Sequence, residues 1–229
     1  MGEEKSLNLL IVTGGSRGLG KSLVELYQSE EWSILEFSRG GIGLHHMPVD
    51  LGDLDASFAV LEAQLQTLAK TPWERVVFIN NAGLLTPIAP VRTLTDAQIE
   101  HNLTINLVSG IRLISSFVRA FAESDSQITI ANVSSGAALK GYSGWSLYCA
   151  AKAGMENYIR ALAAEQSTAA KRMTCVNIDP GKMDTDMQGE IRNTATENFP
   201  DVAHFIEAKN TGQLRSAKSV ARAIMTILD

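Results

Sequence analysis

The chain predicts an α/β fold: a single doubly wound parallel sheet of six strands with helices on both faces. Three observations carry that expectation. Short apolar runs alternate with helical patterns along the chain. A glycine-rich turn, Gly14 to Gly20, separates the first apolar run from the first helical pattern. The composition is that of an ordinary globular domain, 45% hydrophobic and 20% charged, and 229 residues suffice for one sizeable core.

Leu7 to Thr13 is an apolar run of the kind a buried parallel strand shows. A helical pattern from Lys21 to Ser29 follows the glycine-rich turn, with Leu23, Leu26 and Tyr27 on one face. Ser33 to Ser38 reads as the second strand. The connection Arg39 to His46 holds three glycines and is too short for a crossover helix. Met47 to Asp50 is a short third strand and Leu54 to Lys70 a helix. Arg75 to Ile79 is the fourth strand, running into Asn80-Asn81-Ala82-Gly83. A loop with Pro87 and Pro90 leads to a long helix over Thr95 to Phe121. Gln127 to Val133, the fifth strand, ends at Ser134-Ser135; a helix over Leu147 to Glu165 and a sixth strand over Met173 to Ile178 follow. Residues 182–212 lack a clean period and read as a mobile substrate lid with short helices, before a last helix over Ala217 to Leu228. No repeat or linker splits residues 1–229, so one domain is expected.

A net charge of −5 offers no general attraction for nucleic acid or an anionic membrane. No uninterrupted apolar run has membrane-spanning length, and the charged start Met1 to Lys5 is unlike a signal peptide. Cys149 and Cys175 form no disulfide framework and no CxxC pair. The expectation is a cytoplasmic chain. His45 and His46 lack a ligand partner at matching spacing, so no metal is expected and both read as exposed.

The glycine turn frees backbone N–H groups at a positive helix end, which suits a pyrophosphate; the competing reading is a tight turn that needs glycine for its dihedrals. An acidic residue at the tip of the second strand would grip an adenosine ribose. Here the tip is Phe37-Ser38-Arg39, so Arg39 and Arg17 are candidates for a 2′-phosphate, and NADP(H) is expected over NAD. Glu36 is an alternative ribose ligand inside the strand. Asp50 is placed to accept from an adenine amino group or to cap the next turn.

Tyr148 and Lys152 lie four residues apart at a helix start and share a face. A phenol, of pKa about 10, becomes a usable acid–base group when a nearby cation stabilises its phenolate. Ser135, at a strand end, is placed to donate to a substrate carbonyl. A surface tyrosine with a helix-stabilising lysine is the plainer reading of the pair alone.

The ordered set Thr13-Gly-x-x-x-Gly-x-Gly20, Asn80-Asn-Ala-Gly83, Asn106, Ser135, Tyr148-x-x-x-Lys152 and Pro180-Gly181 resembles the short-chain dehydrogenase/reductase family, over about Leu7 to Thr185. The resemblance implies a Rossmann-type fold and hydride transfer between a nicotinamide and a carbonyl or alcohol. It implies Tyr148 as acid in reduction, Lys152 as its pKa modifier and ribose ligand, Ser135 as carbonyl orienter and Asn106 as holder of a relay water. The implied cofactor contacts are Gly14, Ser16, Arg17, Gly18, Leu19, Gly20, Ser38, Arg39, Asp50, Leu51, Asn81, Ala82, Gly83, Tyr148, Lys152, Pro180, Gly181 and Thr185. The stripe Leu107, Ile111, Ile114, Val118 reads as core, though the family's use of this helix and the Tyr148 helix as a contact implies a homodimer.

Gly144 to Lys152 and Pro180 to Gln188 are similar to the sepiapterin reductase branch and its microbial relatives that reduce diketones such as benzil. Two departures stand out: the crossover helix after the second strand is absent, and the chain stops at Asp229, before the family's last strand and the acidic tail residue that anchors a pterin. A small ketone or diketone is therefore expected over a pterin, against walls formed by Trp145, Tyr142, Met183 and Met187, whose plainer reading is loop packing. The alternatives are an NADP(H)-binding sensor without turnover and an NAD-linked alcohol dehydrogenase. The first has no chemical need for the Ser135, Tyr148, Lys152 and Asn106 set; the missing acid at Ser38 disfavours the second.

Overall fold

A computed structural model of the chain describes residues 7–41, 43–169 and 173–228. Residues 1–5, Ile42 of the glycine-rich connection, and Asp229 lie outside them. Six strands form one sheet: β1 (Asn8–Thr13), β2 (Ser33–Ser38), β3 (His46–Pro48), β4 (Arg75–Asn80), β5 (Gln127–Val133) and β6 (Met173–Ile178). The order is β3-β2-β1-β4-β5-β6, and every pairing is parallel. Chain direction across the sheet reverses between β1 and β4, which opens a crevice at the carboxyl ends of those strands.

The apolar runs are continuous because both faces of the sheet are covered. Leu9, Ile11, Val76, Phe78, Ile128 and Ile130 enter one core, with Phe117 and Phe121 of α4 (Ser109–Phe121) and Leu61 and Leu65 of α2 (Asp55–Leu68). The alternate residues Leu10, Val12, Val77, Ile79, Ala131 and Val133 enter the other. There they meet Leu19 and Leu23 of α1 (Gly18–Ser29) and Ile224 and Leu228 of α8 (Ala217–Leu228).

Three local differences from the expected elements matter. Helix α1 begins at Gly18, three residues early, because the glycine turn is its first turn; Arg17 before it is extended and makes no side-chain cap. The long helix is interrupted. A capping box of Thr95 and Gln98 starts α3 (Asp96–Leu103), and a π turn (Thr104–Val108) carrying Asn106 leads into α4. Such turns insert one extra residue and re-aim the side chains around them. Strand β3 is shifted to His46–Pro48, which leaves Asp50 in the following turn, its Oδ1 accepting from Gly52 N at 2.8 Å. Among the described residues no helix joins β2 to β3.

Residues 96–121 are long and apolar enough, by length and mean hydropathy, to cross a membrane. Leu113, Ile114, Phe117 and Phe121 of that run are buried in the core. Of the apolar stripe, Ile114 is fully buried and Leu107, Ile111 and Val118 pack against it, as the core reading has it. The segment 182–212 forms α6 (Asp186–Arg192) and α7 (Val202–Asn210). Its base is stitched to the chain before α8 by Asp184 N to Arg215 O, 3.0 Å, and Arg215 N to Lys182 O, 3.1 Å.

Candidate active site

A cavity of about 1060 Å³ runs along the carboxyl edge of the sheet. Its floor is the glycine turn. Gly14 and Gly18 have φ of +70° and +54°, a region side chains rarely adopt, and a Cβ on Gly18 would stand 3.7 Å from Thr185 across the cavity. Gly20 does not line the cavity. A Cβ there would lie 2.1 Å from Gly14 O, so this glycine is needed for close approach of α1 to the turn and not as a cofactor contact. Every other expected cofactor residue, from Gly14 and Ser16 to Pro180, Gly181 and Thr185, is on the wall.

Residues between β4 and α3 hold the turn from behind. Thr13 Oγ1 accepts from Asn81 N and Ala82 N, both at 3.0 Å, and Asn81 Nδ2 donates to Thr13 O and Gly14 O at 3.0 and 3.1 Å. From Thr13 a ladder of side-chain amides crosses the sheet. Asn80 donates to Asn132 at 3.0 Å, Asn132 to Asn177 at 2.9 Å, and Asn177 to the Glu156 carbonyl of α5 (Ser146–Gln166) at 3.0 Å. These residues are in register on β4, β5 and β6. Asn80 belongs to the Asn80-Asn-Ala-Gly83 motif, but nothing in the sequence singled out Asn132 and Asn177, because their link is lateral and invisible along the chain.

At one end of the cavity stand Ser38, Arg39, Asp50 and Leu51. Glu36 is not with them. It is buried, accepts from Gly15 N at 2.7 Å, and pairs with His46 Nδ1 at 2.7 Å. With its two oxygens on Gly15 and His46 it does not line the cavity, which argues against it as a ribose ligand, and His46, expected at the surface, is bound to this buried acid. Arg17 lies on the cavity and 3.7 Å from Asp186 at the start of α6, both side chains exposed.

At the other end lie Ser135, Tyr148 and Lys152. Helix α5 supplies the last two on its buried face. Lys152 Nζ donates to Val133 O at 2.7 Å and sits 5.6 Å from the Tyr148 ring centre. Burial lowers its pKa to about 8, against the Asp179 carboxylate, which raises it. Tyr148 is pushed up to about 12 by burial, with a hydrogen bond from Ser135 pulling it down and Asp179 and Cys149 raising it further. In the cofactor-free protein burial is thus the largest influence on the phenol. Ser135 Oγ accepts from Ala137 N at 3.2 Å, which leaves its O–H to donate.

Asn106 is buried but does not line the cavity. Its Nδ2 donates to Leu84 O (2.7 Å) and Asn102 Oδ1 (3.0 Å), and its Oδ1 accepts from Leu84 N (2.7 Å). Both N–H donors of the side chain are used, and they hold the β4–α3 loop in place. Asn102, overlooked in the sequence, anchors the same loop through Thr86 O at 2.9 Å.

Trp145, Tyr142, Met183 and Met187 all line the cavity. Trp145 stacks on Phe199 with ring centres 4.6 Å apart and meets Phe205 of α7 at 5.4 Å. Gln188, Ile191 and Phe205 complete this wall. They were not among the expected site residues, because short helices in a polar stretch leave no periodicity to read. Among the described residues no cluster suits a metal ion.

A cavity with glycines at its floor, arginines at one end and a tyrosine–lysine–serine group at the other fits a nicotinamide dinucleotide. A Cβ at Gly14 would meet Ala82 Cα at 3.0 Å, so the floor is closed to side chains. The likeness to known proteins agrees. The chain is 29% identical over 228 residues to a benzil reductase ((S)-benzoin forming) of Bacillus subtilis (strain 168), covering 97% of this chain and 94% of that protein. It is 31% identical over 243 residues to the sepiapterin reductase of Bos taurus, covering 96% and 89%. The fold matches a short-chain dehydrogenase/reductase of Saccharomyces cerevisiae with a TM-score of 0.78 at 23% identity, over 92% of this chain and 86% of that one. A family model described as short chain dehydrogenase matches residues 8–196, and the chain belongs to that family of oxidoreductases.

Proposed function

We propose that the protein is an NADPH-dependent carbonyl reductase acting on a small ketone or diketone. The observation that carries this reading is the convergence of Ser135, Tyr148 and Lys152 on one cavity whose far end holds Arg39, with no acidic residue at the tip of β2. When bound, the nicotinamide supplies the hydride. The protein's residues do the rest. The Ser135 hydroxyl and the Tyr148 phenol donate to the carbonyl oxygen, where negative charge develops. A phenol pushed up to about 12 keeps its proton throughout the neutral range, which suits an acid delivering a proton to an alkoxide. The reverse reaction needs the phenolate and is disfavoured at neutral pH. Lys152, charged below about pH 8, stabilises the phenolate left after transfer. Trp145, Phe205 and the α6 residues form an apolar wall that excludes water.

Preference for NADPH rests on Arg39 and Arg17 as a fork for the 2′-phosphate, and on the diversion of Glu36 to Gly15 and His46. The similar benzil and sepiapterin reductases support a carbonyl substrate. The test is oxidation of NADPH, with NADH in parallel, against benzil, 1-phenyl-1,2-propanedione and sepiapterin. Turnover with a diketone and preference for NADPH is the expected result; tight NADPH binding without oxidation by any carbonyl overturns the reading. Replacing Arg39 with Ala should weaken NADPH by about 10-fold or more, the size of a lost charge-assisted hydrogen bond, and NADH little. Equal weakening of both contradicts the cofactor assignment.

A further inference from the structure

One wall of the substrate end carries a hydrogen-bond donor with nothing to donate to. Gln188 on α6 is 4% exposed and lines the cavity, and its Nε2 is buried without a partner. Its Oε1 accepts from the guanidinium of Arg192, one helical turn on. A guanidinium has donors only, so the oxygen of the amide must face it and the NH2 group must turn the other way. The two-fold ambiguity usual for a glutamine amide is removed by chemistry here. Arg192 is itself held 3.9 Å from Asp184, and Asp184 pairs with Lys209 of α7. The Lys209 hydrogen bond keeps the Asp184 carboxyl below its usual range, so the anchor of the relay stays charged.

The relay therefore turns the NH2 group away from Arg192, on a helix whose Met187 and Ile191 pack with Tyr148 and Trp145. The indole Nε1 of Trp145 is also buried without a partner and belongs to the same wall. A buried donor left unmet is a standing cost to the fold, relieved when an acceptor arrives. The reacting carbonyl oxygen already has Ser135 and Tyr148. A simple ketone leaves Gln188 unmet, whereas a substrate with a second oxygen beside the reacting one supplies the missing acceptor. The geometry points to Gln188, oriented by Arg192 and Asp184, as the residue that selects carbonyl substrates bearing a second acceptor oxygen, the vicinal dicarbonyl pattern. This rests on the reductase reading above.

The test compares 1-phenyl-1,2-propanedione with 4-chlorobenzaldehyde, a reactive mono-carbonyl, by kcat/KM with NADPH. Wild type, Gln188→Met, Gln188→Glu and Arg192→Met are measured. Both substrates are assayed on the same preparation, so any loss of folded enzyme cancels in the ratio. Gln188→Met should lower the diketone-to-aldehyde ratio by about 10- to 100-fold, the effect of losing one buried hydrogen bond to substrate. Gln188→Glu keeps the size and removes the N–H, and should lower it likewise. Arg192→Met frees the amide to turn and should lower the ratio less, in the same direction. A ratio within about 2-fold of wild type in both Gln188 variants overturns the inference while the reductase reading stands. Wild-type enzyme that oxidises no NADPH with either substrate sinks both.

Discussion

Lys152 shows how one residue is placed for chemistry at the expense of the fold. Its pKa of about 8 lies below the ordinary 10.5 because burial penalises the cation. Between those pH values the folded chain binds fewer protons than the unfolded one, so stability rises with pH across that window. Below about pH 8 the buried charge is a cost carried in full. Lys152→Met should therefore raise the stability of the cofactor-free protein at pH 7 by about 1–3 kcal/mol, after allowance for the lost bond to Val133 O. The gain should shrink towards pH 10.5 while activity is abolished; urea denaturation at several pH values reads it. An unchanged or lowered stability at pH 7 would show that the ammonium is not penalised. The gathering of Ser135, Tyr148 and Lys152 on one cavity was legible in the sequence because the three follow the spacings of the family it resembles. The partners of Glu36, Gln188 and Asn106 were not, because each is chosen by a contact between distant elements or by a helix too short to show a period.

Elements position these residues, and the sheet itself is part of the site. The strands were read to within a residue or two because all but the short β3 are mostly apolar runs between turn signals, and β2, β5 and β6 matched in full. The π turn was not legible. The apolar pattern of 95–121 continues through it, and only the packing of Asn106 and Asn102 on the loop after β4 shows why the helix widens there. The amide ladder from Asn80 to Asn177 couples the strands beneath the glycine turn and α5. Asn132, fully buried at its centre, donates to Asn177 and accepts from Asn80. Asn132→Leu leaves the buried Asn80 amide and the half-buried Asn177 amide each short of a partner and should cost about 2–4 kcal/mol, seen as a lower urea midpoint with an unchanged slope. A loss under about 0.5 kcal/mol would mean that the ladder is incidental to the fold.

At the scale of the whole molecule, one sheet gathers both ends of the site on its carboxyl edge, and α6 and α7 cover the substrate end. We propose that the chain assembles as a homodimer through α5 and the π turn and α4 beside it. Val108 remains 45% exposed, next to Leu107, which sits so close to Gly154 of α5 that an added Cβ there would meet it at 3.1 Å. Light scattering should give twice the chain mass for wild type and the chain mass for Val108→Glu, since a charge buried unpaired in an apolar contact is not tolerated. A monomeric wild type would refute that face as an interface. The proposed reduction depends on Tyr148 as the acid. The most direct measurement is the rate of NADPH oxidation by 1-phenyl-1,2-propanedione with wild type and Tyr148→Phe side by side, together with the NADPH dissociation constant of each. The account predicts a fall of about 100-fold or more in kcat with the dissociation constant nearly unchanged. A variant that turns over at close to the wild-type rate would contradict it.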